Sequence, residues 1–256
     1  MFKFYSIHDI ALIDKLIGNT ASLKLSSAYN FNDPYELKFN LVIDPFASGQ
    51  ESEYFLANPN DSADDFTNWQ QQAAHNRNYV WHTEQEQRKA LSQVILLSPF
   101  TETNSNNLMW SHYTANYQGI CVEYHPALFD FLKEGSGYLC FGKVKYSEQP
   151  PLVGSLEDAD TKLTKMVFNK QLEWQYEREH RLVVESTEGE AYLAIDQKYI
   201  KAVYIGSRAA KPTVDAVLES CRDTEIKVFY AVTMGDSYEV GFREHRKDTI
   251  YMRSFF

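Results

Sequence analysis

Two glutamates and an arginine stand at alternate positions in the second half of the chain: Glu177, Glu179 and Arg181. If they lie in a strand, alternation places the three side chains on one face, with the two carboxylates about 7 Å apart. One carboxylate of such a pair can hold a sugar hydroxyl while the other stabilises a developing oxocarbenium ion or activates a nucleophile. The spacing therefore predicts glycosidic-bond chemistry. The alternative is a solvated edge strand whose charges form cross-strand ion pairs.

The segment Phe31 to Glu36 has the composition of a turn. The side chains of Asn32 and Asp33 can bond nearby backbone N–H groups, and Pro34 fixes its own φ and restricts the residue before it. Such a turn either lines a pocket with its polar side chains or only anchors the loop after a strand. The local sequence is compatible with both interpretations.

A compact aromatic stretch surrounds His112. In a helical turn, Trp110 and Tyr113 lie on one side as i, i+3 neighbours, and His112 lies on a different face. The two rings can stack on a nicotinamide or adenine ring, or they can pack in the core. A Ser111–His112 nucleophilic dyad is disfavoured, because adjacent helical residues point apart and no third orienting group is identifiable.

The remaining pattern predicts the elements that must position these residues. Alternating or β-rich runs predict strands at 2–5, 22–26, 94–100, 119–124, 138–146, 177–184, 199–205, 225–232 and 238–242. Helical periodicity predicts helices at 9–17, 126–133, 158–175 and 212–221, the first with Asp9 as its N-cap. Strands and helices mix without a regular β-α-β period or an internal repeat. We therefore predict an α+β fold with a mixed, largely antiparallel central sheet flanked by helices.

Length and composition bound the class of protein. The 256 residues are 44% hydrophobic and 23% charged, enough for a full core, so we expect a single domain over 1–256. Residues from about 48 to 93 are rich in Gln, Asn, Asp and Glu, which predicts a polar helical insertion that is either a lid or a docking surface. The net charge of −10 argues against a broad nucleic-acid-binding face and against an anionic membrane as partner.

Signals for metals, common cofactor motifs and membranes are missing from the sequence. The three cysteines are far apart, and no two of the seven histidines stand at i, i+4, so we predict no metal site. The Gly-rich dinucleotide and P-loop motifs, the zincin motif and the nucleophile elbow are absent. No apolar run approaches the length of a membrane span, and the first residues lack the pattern of a signal peptide. We expect a cytoplasmic protein.

Three features, taken in order, resemble a widespread bacterial family labelled only as a domain of unknown function. The first is an N-terminal aromatic strand and helix with F-N-D-P-[FY]-E after the next strand, here at Phe31–Glu36. The second is [LM]-W-S-H-Y at Met109–Tyr113 followed by G-[IV]-C-[VI]-E-[FY] at Gly119–Tyr124, and the third is K-x-x-x-W-x-Y-E-x-E-x-R at Lys170–Arg181. The resemblance extends over nearly the whole chain.

The order of the opening elements and the later acidic pair are similar to those of the ADP-ribosyltransferase superfamily. That fold opens with a strand, a helix and a second strand, and it supplies its key glutamate from a later strand, often as [EQ]-x-E. Here the first strand would be Phe2–Ser6, the second Ser22–Ser26, and the acidic pair Glu177 and Glu179. The resemblance implies that Glu179 contacts the nicotinamide ribose of NAD and stabilises the oxocarbenium-like transition state. It implies that Glu177 orients the acceptor.

Further NAD contacts are implied by this resemblance. The superfamily usually grips NAD with an Arg or His on the first strand, where this sequence offers Lys3, Tyr5 or, just past it, His8. Ser26 matches the serine of one subclass. The residues expected to contact NAD are Tyr5, Ser26, Asn32, Asp33, Trp110, His112, Tyr113 and Arg181.

The resulting hypothesis is an NAD-consuming ADP-ribosyltransferase-like enzyme that modifies a cytoplasmic protein or nucleic acid. Such an enzyme would act as a toxin or phage-defence effector, held in check by an antitoxin or chaperone partner. One alternative is a non-catalytic binding or regulatory module whose pocket is lined by Trp110, Tyr113 and Asn32. A second alternative is a nucleotide or glycosidic-bond hydrolase, which differs from the transferase only in using water as the acceptor.

Overall fold

A computed structural model describes residues 1–186 and 192–246 of the chain. The strands are β1 Phe2–Tyr5, β2 Ser22–Lys24, β3 Asn40–Val42, β4 Ile95–Thr101, β5 Ile120–Tyr124, β6 Tyr138–Lys143, β7 Lys145–Ser147, β8 Leu152–Gly154, β9 Asn169–Gln171, β10 Glu179–Glu185, β11 Tyr192–Ala194, β12 Ile200–Ile205, β13 Lys227–Thr233 and β14 Val240–Glu244. The α-helices are α1 Ala11–Ile17, α2 Gln50–Ala57, α3 Ala63–His75, α4 Arg77–Val94, α5 Asn107–Tyr113, α6 Ala127–Lys133, α7 Ala159–Val167 and α8 Lys211–Ser220. Short 3₁₀ helices occupy Ala28–Asn30, Leu172–Glu177 and Gln197–Tyr199.

The described chain forms two compact units, each built from segments that are distant in sequence. Unit 1 comprises Met1–Leu25, Leu97–Phe141 and the described residues from Tyr176 onward. Unit 2 comprises Ser26–Leu96 and Gly142–Gln175.

An eight-stranded sheet organises unit 1, in the order β14-β13-β12-β5-β1-β4-β10-β6. Strand β1 pairs antiparallel with β4 and β5, and β5 pairs antiparallel with β12, whereas β12 and β13 are parallel. The predicted α+β class with a mixed, mostly antiparallel central sheet is confirmed. The predicted short strands at 2–5 and 22–26 are present as β1 and β2, although β2 pairs with β11 in a separate two-stranded sheet.

Alternation along β1 separates two environments within unit 1. Phe2 and Phe4 point to one face, where they pack on a core cluster that contains the fully buried Trp110 of α5. The Phe4 and Trp110 rings meet edge to face, with centroids 5.2 Å apart. Lys3 and Tyr5 point to the opposite face, and both are buried.

Unit 2 contains the helices of the polar stretch and two short parallel strand pairs. Helices α2 and α3 and most of α4 lie within residues 48–93. Although α2 and α3 are rich in polar residues, their aromatic rings form apolar contacts with one another. The rings of Phe66 and Trp69, for example, stack with centroids 5.7 Å apart. Strand β3 pairs with β8, and β7 pairs with β9. The core of the first pair contains Phe39, Leu41, Val153 and Met166.

The predicted helix over 158–175 is wrong in its second half. Asp158 caps the N-terminus of α7 by accepting a hydrogen bond from the Thr161 N–H at 2.9 Å. The helix ends at Val167, and the Asn169 amide donates to the Lys165 carbonyl at 2.7 Å. Residues 169–171 then pair with β7. Leu172 is spaced from the apolar residues before it as in a helix, but the pairing of residues 169–171 with β7 overrides this local preference.

No helix in the described part of the chain combines the length and the hydropathy that crossing a bilayer would require.

Candidate functional site

Glu177 is the last residue of a 3₁₀ helix and not a strand residue, which corrects the prediction of a strand beginning there. Arg178 follows with a φ of 46°, in the left-handed region, and β10 begins only at Glu179. This conformation is uncommon for a residue with a side chain, and it interrupts the alternation between the two glutamates. Glu177 and Glu179 are therefore not neighbours on one face of a continuous strand.

The Glu177 carboxylate is buried, with 3% of the residue exposed, and it is held from α5. The Tyr113 hydroxyl donates a short hydrogen bond to its Oε1. Tyr113 is at the C-terminal end of α5, so the packing of this helix fixes where the phenol lies. The structure thus brings together two of the residues predicted from separate motifs.

Glu179 forms a buried ion pair with Arg181. The Arg181 Nε and Nη2 donate to Glu179 Oε1 and Oε2 at 2.6 and 3.1 Å, and the side-chain exposures are 0% for Arg181 and 4% for Glu179. This paired geometry satisfies both carboxylate oxygens and is the strong form of an ionic hydrogen bond. His180 lies between them in sequence and stacks on Phe141 instead, with centroids 5.9 Å apart.

Lys3 adds a buried cation near this ion pair. Its Nζ donates to the Pro99 carbonyl at 3.1 Å and lies 5.5 Å from the centroids of the Tyr5 and Phe100 rings. Burial, and to a smaller extent the charge of Lys24, lower the pKa of Lys3 from 10.5 to about 7, although the charge of Glu179 opposes the shift. The site therefore contains a buried lysine whose protonated form is disfavoured.

An exposed histidine lies beside Tyr113. His112 Nδ1 is 3.0 Å from the Tyr176 hydroxyl, and the His112 ring centroid is 6.2 Å from the centroids of Tyr113 and Tyr176. The Asn106 amide donates to the Tyr176 carbonyl at 3.5 Å. The His112 ring thus lies next to Tyr113, which binds Glu177, and next to Tyr176 of the 3₁₀ helix that ends at Glu177.

A strained loop follows α5 and fixes its C-terminal end. Ala115, Asn116 and Tyr117 have φ values of 49°, 57° and 68°, which makes three consecutive left-handed residues with side chains. The Tyr117 N–H donates to the Trp110 carbonyl at 3.3 Å, and the Asn116 N–H donates to the Ser111 carbonyl at 3.1 Å. Such strain costs of order 1–3 kcal/mol per residue and is found preferentially at functional sites.

The remaining residues expected to contact NAD are distributed differently. Trp110 is fully buried in the unit 1 core, where it also stacks on Tyr117 with centroids 6.0 Å apart. Tyr5 is buried, and its hydroxyl is 2.7 Å from that of Tyr124. Burial, together with Tyr124, raises the pKa of the Tyr5 phenol well above its usual value. Ser26, Asn32 and Asp33 belong to unit 2.

Within unit 2, the structure joins two motifs that the sequence analysis treated separately. Lys170 Nζ lies 3.4 Å from Glu36 Oε1, with side-chain exposures of 4% and 3%. The same ammonium is 4.9 Å from the centroid of the Trp174 ring. Arg88 of α4 donates to the Pro34 and Glu36 carbonyls at 2.9 and 2.7 Å. The role of Arg88 was missed, because nothing near it in sequence indicates that it binds a turn 52 residues away.

Among residues 1–186 and 192–246, no group of three or more histidine, cysteine, aspartate or glutamate side chains could hold a metal ion.

Comparison with known proteins adds one family. Residues 109–182 match the model of a family described as "Protein of unknown function (DUF2971)". The matched stretch begins in α5 and ends in β10, so it includes Tyr113, Glu177, Glu179 and Arg181. The match supports the resemblance to a domain-of-unknown-function family. Neither the curated proteins nor the solved structures gave a match to the chain.

Proposed function

We propose that this protein cleaves the bond between nicotinamide and ribose in NAD and transfers ADP-ribose to a protein or nucleic acid. The observation that carries the proposal is the buried Glu177 carboxylate, which Tyr113 holds beside an exposed histidine. A fixed carboxylate close to a sugar carbon is what an oxocarbenium-like transition state requires. The matched family region, which contains both residues, is compatible with this proposal but assigns no activity.

The reaction needs a stabilised cation and a nucleophile. The bond between C1′ of the ribose and the nicotinamide nitrogen breaks, and its electron pair neutralises the nitrogen of the leaving group. The positive charge that develops on the ribose is stabilised by the Glu177 carboxylate. An oxygen, nitrogen or sulfur atom of the acceptor then bonds to C1′ and loses its proton to a base.

The aromatic rings near Glu177 offer a binding site for nicotinamide, the leaving group. His112 is exposed, and Tyr113 and Tyr176 are each about half-buried. Planar side chains of this kind stack on aromatic ligands and hold them in one orientation. We therefore assign nicotinamide to the side of Glu177 where His112 and Tyr176 lie.

Glu179 receives a different role from the one that the resemblance implies. Both of its oxygens are bound by Arg181, and the pair is buried. Removing one member of a buried ion pair costs about 3–5 kcal/mol, because the other charge is left uncompensated. We propose that Glu179 and Arg181 are positioning residues that hold the start of β10 and thereby the turn at Glu177.

The test is nicotinamide release from NAD by the full chain. Glu177→Gln keeps the size and the hydrogen bond from Tyr113 but removes the charge, so we expect release to fall at least 100-fold with little change in melting temperature. Tyr113→Phe should cause a smaller loss. Glu173→Gln, an exposed glutamate on the same 3₁₀ helix, is the matched control and should leave release unchanged.

If the Glu177→Gln variant releases nicotinamide as fast as the wild type, the catalytic role assigned to Glu177 is rejected. A wild-type protein that is folded and releases no nicotinamide with extracts of protein, RNA or DNA present would reject the reaction itself. Radiolabelled NAD incubated with those three pools separates transfer from hydrolysis, since hydrolysis leaves free ADP-ribose. By the superfamily resemblance, the transferase would act as a toxin or phage-defence effector. Expression of the wild-type protein should then inhibit the growth of cells, and expression of the Glu177→Gln variant should not.

A non-catalytic module is the second candidate, and the Glu179–Arg181 pair favours it. This pair has the geometry of a structural ion pair on β10, which requires no turnover. A pocket lined by Trp110 is not supported, because this side chain is fully buried. The module predicts that Glu177→Gln changes no turnover and that Arg181→Met changes only stability.

A further inference from the structure

A polar cavity lies in unit 2, beside the turn at Phe31–Glu36. Its volume is about 280 Å³, and Tyr29, Phe31, Asp33, Glu36, Gln85 and Arg88 are among the residues that line it. Ligand pockets commonly measure roughly 300 to 1,000 Å³, so this cavity suits one small ring system and not an extended molecule.

The buried acceptor in this cavity is Asp33, of which 4% is exposed. Its Oδ1 accepts a hydrogen bond from the Tyr35 N–H at 2.8 Å and so closes the turn. Its Oδ2 has no hydrogen-bond partner among the residues that the structure describes. Buried polar atoms are nearly always paired, so this oxygen calls for a donor that the described residues do not supply.

The same turn occurs a second time in unit 2, which shows that the turn alone does not need a buried aspartate. Asp44 is followed by Pro45 and Phe46, and its Oδ1 accepts from the Phe46 N–H at 3.2 Å. Asp44 is exposed. The burial of Asp33 within a cavity is therefore a property of this site and not of the Asp-Pro-aromatic turn.

Charge balance restricts the class of ligand. The carboxylate of Glu36 lies 3.4 Å from Lys170 Nζ, and Arg88 donates to carbonyls on either side of Tyr35, so two cationic side chains already bind this turn. A cationic ligand gains little in such surroundings, and an anion would meet Asp33. A neutral ring with an N–H donor suits both the acceptor and the rings of Tyr29 and Phe31.

We propose that this cavity binds a nucleobase through its exocyclic amino group, with Asp33 as the acceptor and Tyr29 as a stacking surface. The ring of Tyr29, at 65% exposure, is free of the core and can cover a flat ligand. The inference does not rest on the function proposed for unit 1, because it concerns binding of a nucleoside without any turnover.

The experiment compares adenosine with purine riboside, which lacks only the amino group, by titration calorimetry on the full chain. A hydrogen bond to a carboxylate strengthens binding roughly tenfold or more, so adenosine should bind at least tenfold more tightly. Asp33→Asn retains the acceptor for the Tyr35 N–H but places an amide NH2 at the position of Oδ2. This variant should bind the two nucleosides equally, whereas Asp44→Asn should behave as wild type.

Tyr29→Ala supplies a readout that does not depend on the buried turn. Loss of the stacking ring should weaken the binding of adenosine and purine riboside by the same factor, with an unchanged melting temperature. Equal affinity of the wild type for the two nucleosides would overturn the proposal. So would the absence of binding at millimolar concentrations of adenosine, guanosine and cytidine, or an adenosine preference that survives Asp33→Asn.

Discussion

At the scale of single residues, Lys3 of unit 1 carries a charge that its burial disfavours. Its ammonium is buried, donates to the Pro99 carbonyl, and lies 5.5 Å from the centroids of the Tyr5 and Phe100 rings. Since burial lowers its pKa to about 7, the folded protein holds the neutral amine in preference to the cation above that pH. Unfolding restores a pKa near 10.5, so the unfolded chain binds the extra proton between these two values.

The first prediction is that this residue makes stability rise with pH. Between about pH 7 and pH 10 the unfolded state binds more protons than the native state, so the free energy of unfolding should increase as pH rises. Lys3→Met removes the cost of burying the ammonium and should therefore be more stable than wild type at pH 7. The expected gain in the free energy of unfolding is a few kcal/mol, at roughly 1.4 kcal/mol per pKa unit, reduced by the loss of the hydrogen bond to Pro99. Urea unfolding of both proteins at several pH values measures the difference.

The exposed Lys227→Met is the control, and its stability should follow wild type at every pH. A Lys3→Met protein that is less stable than wild type at pH 7, with the same pH dependence, would show that burial of this ammonium carries no such penalty.

The two glutamates show how far sequence patterns predict individual residues. The E-x-E spacing singled out two carboxylates, and both are buried in the structure. The spacing wrongly placed both glutamates on one face of a strand. Alternation of side chains requires a continuous strand, and the left-handed conformation of Arg178 interrupts it. Ion pairing and the hydrogen bond from Tyr113 depend on elements far away in sequence, and no local pattern encodes them.

At the scale of elements, the loop after α5 depends on glycine. Gly206 follows β12 directly, and a Cβ atom there would lie 2.1 Å from the Tyr117 carbonyl oxygen. The loop is held by this close approach, with the Arg208 N–H donating to the same carbonyl at 3.0 Å. Because the contact is with backbone, a side chain cannot rotate away to relieve it.

The second prediction is that Gly206→Ala lowers stability by about 1–3 kcal/mol, since the strained residues 115–117 must move. It should also displace Tyr113 and weaken nicotinamide release if unit 1 has that activity. Thermal melting measures the first effect. Gly235→Ala is the matched control, because a Cβ atom there meets no atom within 4 Å. Equal melting temperatures for the two variants would contradict the prediction.

The elements themselves were largely predictable from the sequence. Strands with buried β-branched and aromatic residues, such as β5 and β12, begin within one residue of their predicted positions. The helix predicted at 126–133 is present as α6, because Pro126 and the apolar spacing after it agree. The failure at 169–171 has a physical cause: the sequence cannot reveal that Lys145–Ser147 supplies a partner strand.

At the scale of the whole molecule, unit 2 consists of two chain segments that a buried ion pair joins. Glu36 is in the first segment and Lys170 in the second, and the Trp174 ring covers the ammonium. The sequence contains both residues in recognisable motifs, but neither motif indicates that the other is its partner. Their contact is a property of the folded unit alone.

The third prediction concerns this pair. Lys170→Met leaves the Glu36 carboxylate buried without its cation and should destabilise unit 2 by about 3–5 kcal/mol. Hydrogen exchange should then accelerate at β3 and β9. Adding Glu36→Gln should restore part of the loss, because the uncompensated charge is removed. The exposed Lys89→Met on α4 should change nothing, and exchange rates that are unaffected by Lys170→Met would contradict the prediction.

The position of β1 in the sheet has a consequence for synthesis on the ribosome. Strands β1, β4 and β5 are made early and pair with one another, but their outer neighbours β10 and β12 follow much later in the chain. Roughly 75 residues separate Tyr124 from Ile200, which at about 5–20 residues per second is a wait of roughly 4–15 s. The edge of β4 stays open until β10 is made and the edge of β5 until β12 is made, and an open edge is a template for pairing with other chains. Slow translation of the segment between β5 and β12 should therefore increase aggregation of the emerging chain, and a factor that shields β4 and β5 should reduce it.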